Sequence, residues 1–133
     1  MSIATARRDI ELRMEANWAT TRIAMANMPF TKPASGESWV KIRVFEDRAT
    51  RTNIGRDAVH RYSGTIAVEI YVPQKTGTGT IRGYADTIAE IFRDQQFNGI
   101  TCEEARVVPV GDFEGWYQMN VTVPFYWDGR YYV

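Results

Sequence analysis

Between Arg61 and Phe92 the apolar residues change period once, and that change writes a strand, a glycine loop and a helix in succession. Ile66, Val68, Ile70 and Val72 recur at every second position, with Thr65, Ala67, Glu69 and Tyr71 on the other face, as a half-buried strand requires. Pro73 has no N–H to donate and stops the ladder. From Thr80 onward Ile81, Tyr84, Ala85, Ile88, Ile91 and Phe92 fall at spacings of three and four, leaving Arg82, Asp86, Glu90 and Arg93 for solvent. One apolar helix stripe is thus available to cover one face of a sheet.

The flanking segments supply the rest of that sheet. Ile3, Ala6, Ile10, Met14 and Trp18 form a second helical stripe, with Ser2 or Thr5 as its cap. Ile23 to Met25 reads as a short strand, and Pro29, Pro33 and Gly36 mark a connecting loop. Trp39 to Phe45 alternates as a strand. The segment from Glu46 to His60 is poor in apolar residues and carries a turn-forming Asn53 to Gly55, so it reads as a long hairpin loop or mobile arm. Phe97 to Ile100 reads as a turn, Cys102 to Val110 as a strand, Gly111 to Gly115 as a polar turn, and Trp116 to Trp127 as the last strand. The expected fold is α+β: a mixed, mainly antiparallel sheet of about four to five strands covered by two helices. With 133 residues and no linker or repeat, residues 1–133 are expected to share one core.

Composition removes several function classes. No apolar run approaches the roughly 18 residues of a membrane span, and charges interrupt the N-terminal MSIATARRDIELRME where a secretory signal needs a continuous apolar stretch. Cys102 is the sole cysteine, so no intrachain disulfide can form, and with His60 as the sole imidazole the Cys and His set of a structural zinc site is essentially excluded. Cys102 reads as a small buried apolar residue. Formal net charge is zero, which argues against a general polyanion-binding surface.

The charges are nevertheless segregated. Lys41, Arg43, Arg48, Arg51, Arg56 and Arg61 outnumber Glu46, Asp47 and Asp57 in one segment. Asp86, Glu90, Asp94, Glu103, Glu104, Asp112 and Glu114 face only Arg93 and Arg106 in another. Solvated faces are one account; the other is that opposite-signed patches meet between identical subunits arranged head to tail.

The last strand has two unlike faces. Tyr117, Met119, Val121, Val123, Phe125 and Trp127 make a core face, whereas Trp116, Gln118, Asn120, Thr122, Pro124 and Tyr126 are polar in the middle and aromatic at the ends. Either neighbouring loops cover those aromatics, or Trp116 and Tyr126 anchor a partner. A protein partner fits better than stacked bases, because the strand has no interleaved Lys or Arg. Pro124 implies an edge position or a break in the ladder.

Catalytic signals fail on inspection. Gly77-Thr78-Gly79-Thr80 precedes a helix as a phosphate cradle would, but no lysine follows the second glycine, so it reads as a turn and cap. Glu103 and Glu104, adjacent on an expected strand, would point to opposite faces and could not form an acid–base pair. Asp86 and Glu90 share a helix face without a ligand-rich loop for a cation. His60 lacks a nucleophile partner in any recognisable motif. No catalytic residue, metal or cofactor is expected, and no enzyme class is supported.

In order and spacing the chain resembles the tail terminator-like proteins of long-tailed bacteriophages. The resemblance spans nearly the whole length. It is carried by Arg61-Tyr62-Ser63-Gly64, Val72-Pro73, Gly77-Thr78-Gly79, Ala85-Asp86 through Ile91-Phe92-Arg93, Trp116-Tyr117-Gln118, Asn120-Val121 and Pro124-Phe125-Tyr126-Trp127-Asp128. What it implies is a structural virion protein, assembled in the host cytoplasm, whose subunits form a ring of six on the head-proximal end of the tail tube. Such a ring ends tube growth and presents a joining surface to the head connector. The implied partners are other copies of itself, the tail tube protein and the connector, with DNA passing the channel and no membrane involved. The Asp47 to His60 loop would then face the channel or a neighbouring subunit, with Arg48, Arg51 and Arg56 meeting acidic residues or DNA. Another connector or minor tail protein, or a single-stranded nucleic-acid-binding module, are the alternative readings.

Overall fold

The computed structural model describes residues 2–33, 36–55 and 58–130. Helix α1 (Ile3–Asn17) starts where the Ser2 hydroxyl accepts the Thr5 N–H at 3.1 Å, and stops at the extended Trp18, whose N–H reaches the Met14 carbonyl at 2.9 Å. Strands β1 (Arg22–Met25), β2 (Trp39–Arg51) and β3 (Val59–Pro73) follow, then α2 (Gly79–Phe92). Two short strands, β4 (Gln96–Phe97) and β5 (Ile100–Cys102), precede β6 (Arg106–Phe113) and β7 (Trp116–Arg130).

All seven strands belong to one sheet. β1 runs parallel to β2, β2 antiparallel to β3, and β3 antiparallel to β7 from Val59↔Arg130 to Pro73↔Trp116. The other edge of β7 is shared: β6 pairs its first half, β5 pairs Phe125 and Tyr126, and β4 extends β5. Both helices pack on one face. There Ile66, Val68 and Ile70 stand opposite Val123, Val121 and Met119, beside Val40 and Ile42, all fully or almost fully buried. The α2 stripe covers them with Ile81, Ala85, Ile88, Ala89, Ile91 and Phe92. Truncating a buried phenylalanine such as Phe92 typically costs about 3–5 kcal/mol, so this layer carries much of the stability. The helices are also joined directly, since the Arg13 Nε–H donates to the Ile91 carbonyl at 2.8 Å near the negative end of α2. Trp18 meets Tyr84 edge-on at 5.4 Å.

The expected α+β class stands, but the sheet has seven strands rather than four to five. Part of the expected turn at Phe97 to Ile100 is a tight two-strand hairpin around Asn98 and Gly99, both at positive φ. The expected Cys102 to Val110 strand is broken at Glu103–Ala105 into β5 and β6, so Glu103 and Glu104 are not on a strand. Pro124 explains the break. It is not at an edge, because β7 is central; its carbonyl accepts the Glu103 N–H at 2.8 Å, and its missing N–H faces the same gap in the ladder. The turn expected at Gly111 to Gly115 shrinks to Glu114 and Gly115, since β6 continues to Phe113. Ile3, first in the expected α1 stripe, is 51% exposed.

The largest departure lies in the Glu46 to His60 segment. It is not a loop along most of its length: β2 runs to Arg51 and β3 begins at Val59, so the two strands form a paired arm with a short tip. The arm starts at a β-bulge, where Asp47 is extra between Glu46↔Gly64 and Arg48↔Ser63. Gly64 is required there by space, since a Cβ would sit 2.2 Å from the Phe45 carbonyl oxygen and 2.9 Å from Phe125 Cζ. Gly64→Ala is therefore expected to destabilise the fold by about 1–3 kcal/mol in urea unfolding. A variant as stable as the parent would show that the bulge relaxes at no cost.

Candidate interaction surface

The sheet face opposite the helices is built by the alternate residues of each strand, and it divides into zones. At one end Trp39 and Tyr71 stack at 4.2 Å, with Phe30 of the preceding loop at 5.2 Å from Trp39 and Trp116 edge-on to it at 6.0 Å. Ala24 of β1 joins this second apolar cluster.

The middle zone is polar and hydrogen-bonded. The Tyr71 hydroxyl donates to Glu69 at 2.9 Å, the Gln118 amide donates to Asn120 at 2.9 Å, and Arg43 lies 3.7 Å from the Glu69 carboxylate. Burial, reinforced by the bond to Glu69, pushes the Tyr71 phenol well above its ordinary range. Gln118 is buried and held by these contacts.

Toward the arm, Arg61 grips Asp128 with two bonds of 2.9 and 3.1 Å while its guanidinium lies 4.0 Å from the centre of the Tyr126 ring. On the opposite face of the same strands Tyr62 and Trp127 stack at 4.2 Å. Together with the pairing of β3 to the end of β7, these contacts hold the base of the arm. Its tip is closed by the Thr52 N–H on the Val59 carbonyl and the Val59 N–H on Asn53 Oδ1, both at 2.8 Å.

The residues singled out from sequence are not brought together. Trp116 and Tyr126 share the open face but stand ten positions apart on β7, about 33 Å at strand rise, so they form no common platform. Each is half-buried, Trp116 against Trp39 and Tyr126 under Arg61. Arg48 and Arg51 lie on opposite faces of the arm, Arg48 beside Ser63 and Arg51 beside His60. Arg51 acts locally, because its guanidinium donates to the carbonyls of Asn53, at 2.8 Å, and Gly55, fastening the tip. Arg48 is exposed and in no ion pair among the described residues. Arg56 lies outside the described residues.

Part of the charge segregation is settled within the chain. Arg93 binds Glu104 at 2.5 Å and Glu90 at 2.7 Å, and Lys32 reaches Glu114 at 3.3 Å. Among the described residues no cluster of three or more His, Cys, Asp or Glu side chains could hold a metal, and no helix is long and apolar enough to cross a membrane. Cys102 is 2% exposed, and burial pushes its thiol up to about 12. Gly77 turns the chain at φ +79° into α2, whose N-cap Thr78 makes no side-chain capping bond. Sequence reading missed Phe30 and Trp39 as companions of Trp116, although the aromatic alternation of Trp39 and Phe45 on one face of β2 was the available signal.

A family model described as phage tail terminator protein matches residues 7–125. One solved structure superposes with a TM-score of 0.70 at 17% sequence identity, over 100% of this chain and 98% of that one, a likeness of fold. No curated protein matches the chain in sequence.

The Arg61–Asp128 pair yields a pH dependence. The Arg61 hydrogen bond holds the Asp128 carboxyl below its ordinary value of 3.8, so its stabilisation is present above that value and is lost as pH falls through the depressed one. Both side chains are almost half exposed, at 45% and 43%, so solvent screens the pair and keeps its contribution small. Thermal unfolding of Asp128→Asn against the parent should show the parent ahead at pH 6 (about two units above the carboxyl range), with the gap shrinking as the pH falls below the ordinary carboxyl value. A gap that does not change with pH would assign the effect to packing.

Proposed function

The chain belongs to the phage tail terminator protein family, and on that footing we propose that six of its subunits close into a ring on the head-proximal end of the tail tube. The observation that carries this reading is the family match over residues 7–125, which takes in all of α2, α1 but for its first four residues, and all of the sheet but the end of β7. The chain is a structural component of the phage tail. The finer roles are to end tube growth and to offer the head connector a joining surface, with DNA passing the ring channel and assembly taking place in the host cytoplasm.

The geometry supports an assembly role in two ways. The helices close one face of the sheet, which leaves the open face, with aromatic side chains at both ends, for contacts with the tube protein, the connector or another subunit. The paired arm also carries Arg48, exposed and with no ion pair among the described residues. Base stacking on the open face loses support, because Trp116 and Tyr126 stand too far apart to hold adjacent bases.

Electron microscopy of particles made without this protein tests the reading: overlong tubes or tails unable to join heads are expected, and normal joined tails would sink it. Arg48→Glu tests the arm. It should leave thermal stability within about 0.5 kcal/mol of the parent, as exposed substitutions do, while lowering phage titre. Unchanged titre would remove the Arg48 charge from the mechanism.

A further inference from the structure

At the base of the arm, between the first turn of α1 and the three strands beneath it, lies a mainly apolar groove of about 190 Å³. Ile3, Ala6, Tyr62, Phe125 and Trp127 form its walls. Such a volume is ample for one branched aliphatic side chain, since a cavity of about 150 Å³ accepts a benzene ring. At the other end of the arm stands Ile54, a fully exposed apolar side chain at 102% relative exposure on an otherwise polar tip. Ile3, which lines the groove, is itself 51% exposed, whereas Ala6 of the same helical turn is buried.

We infer that the arm of one subunit seats Ile54 in this groove on a second copy of the chain. Ile54 lies five residues beyond Ala49, the last β2 residue lining the groove, and its full exposure shows that it does not fill the groove of its own chain. The charges agree. Glu46 and Asp47 at the rim outnumber Arg48, and the tip carries Arg51, which its bonds to the Asn53 and Gly55 carbonyls keep close to Ile54. A knob and a groove at different places on one surface make a heterologous contact, the kind that propagates head to tail and closes when the rotation permits. The inference rests on the ring reading and adds to it the residues that join neighbours.

The test uses the full chain. Ile54→Asp should weaken self-association about 10- to 100-fold in sedimentation or native mass spectrometry, the value expected when one buried aliphatic side chain is lost, with an unchanged melting temperature because Ile54 is fully exposed in the subunit. Ile54→Val should retain association. In a second arm, chains carrying Ile3→Cys and chains carrying Ile54→Cys are mixed and oxidised; the mixed disulfide should dominate over either symmetric one, and the buried Cys102 should take no part. Association of Ile54→Asp equal to the parent, a random mixture of disulfides, or a parent chain that stays monomeric at the highest concentration it tolerates would each overturn the inference. The ring reading is judged separately, by the tails of particles that lack the protein: abnormal tails together with a fully associating Ile54→Asp would leave the ring standing and remove Ile54 from it.

Discussion

The antiparallel ladder between β3 and β7 is the constraint on which the other elements hang. Its register runs without a slip from Val59↔Arg130 to Pro73↔Trp116, so every β3 side chain has a fixed neighbour on β7 and a fixed face. One face of that ladder is Ile66, Val68 and Ile70 against Val123, Val121 and Met119, and it gives both helices their apolar floor. The other face carries Glu69 beside Asn120 and Tyr71 beside Gln118, which assembles the polar zone without help from any helix. A slip of β3 by one residue against a fixed β7 would place Glu69 and Tyr71 on the helical face and turn Val68 and Ile70 to the open side, at a cost no local contact could offset.

The bulge at Asp47 changes that pattern on one strand only. Before it, Trp39, Lys41, Arg43 and Phe45 share the open face; after it, Arg48 and Thr50 do. One inserted residue therefore moves the face from odd to even positions and separates Arg48 from Arg51. Gly64 makes the insertion possible, because its missing side chain leaves room for the Phe45 carbonyl. Beyond the bulge, three-strand pairing, the Tyr62–Trp127 stack and the Arg61–Asp128 pair replace helix cover as the means of holding the backbone. The arm is thus a continuation of the sheet rather than a loop added to it.

What the sequence made legible follows from which surfaces are half-buried. The alternation in Ile66 to Val72 and in Tyr117 to Trp127, and the stripes of both helices, exist because one side of each element is dry and the other wet. The arm is exposed along β2 from Phe45 to Arg51, so no apolar alternation marks it there, and its strands are declared only by backbone bonds that composition does not record. β4 and β5 are too short for any period to register. The Pro124 signal was readable but ambiguous between an edge and a break, and only the Glu103 N–H on its carbonyl decides for the break. Alternation puts Trp116 and Tyr126 on one face, yet face membership gives no distance, and strand rise sets them at opposite ends.

The two faces of the sheet differ in what remains to be satisfied. On the helical side the apolar residues are covered, and directional contacts such as Arg13 on the Ile91 carbonyl are made within the chain. On the open side the indole N–H of Trp39 is buried and has no acceptor among the described residues, while stacking on Tyr71 and contact with Phe30 fix the ring. A buried donor without an acceptor costs about 1–3 kcal/mol, and a ring held on both sides cannot turn to relieve it. A subunit that folded only for itself would gain by replacing that indole with an apolar ring of similar size. The constrained donor stands at the aromatic end of the uncovered face and the fully exposed Ile54 at the end of the arm, two places where the proposed contacts between subunits would have something to gain.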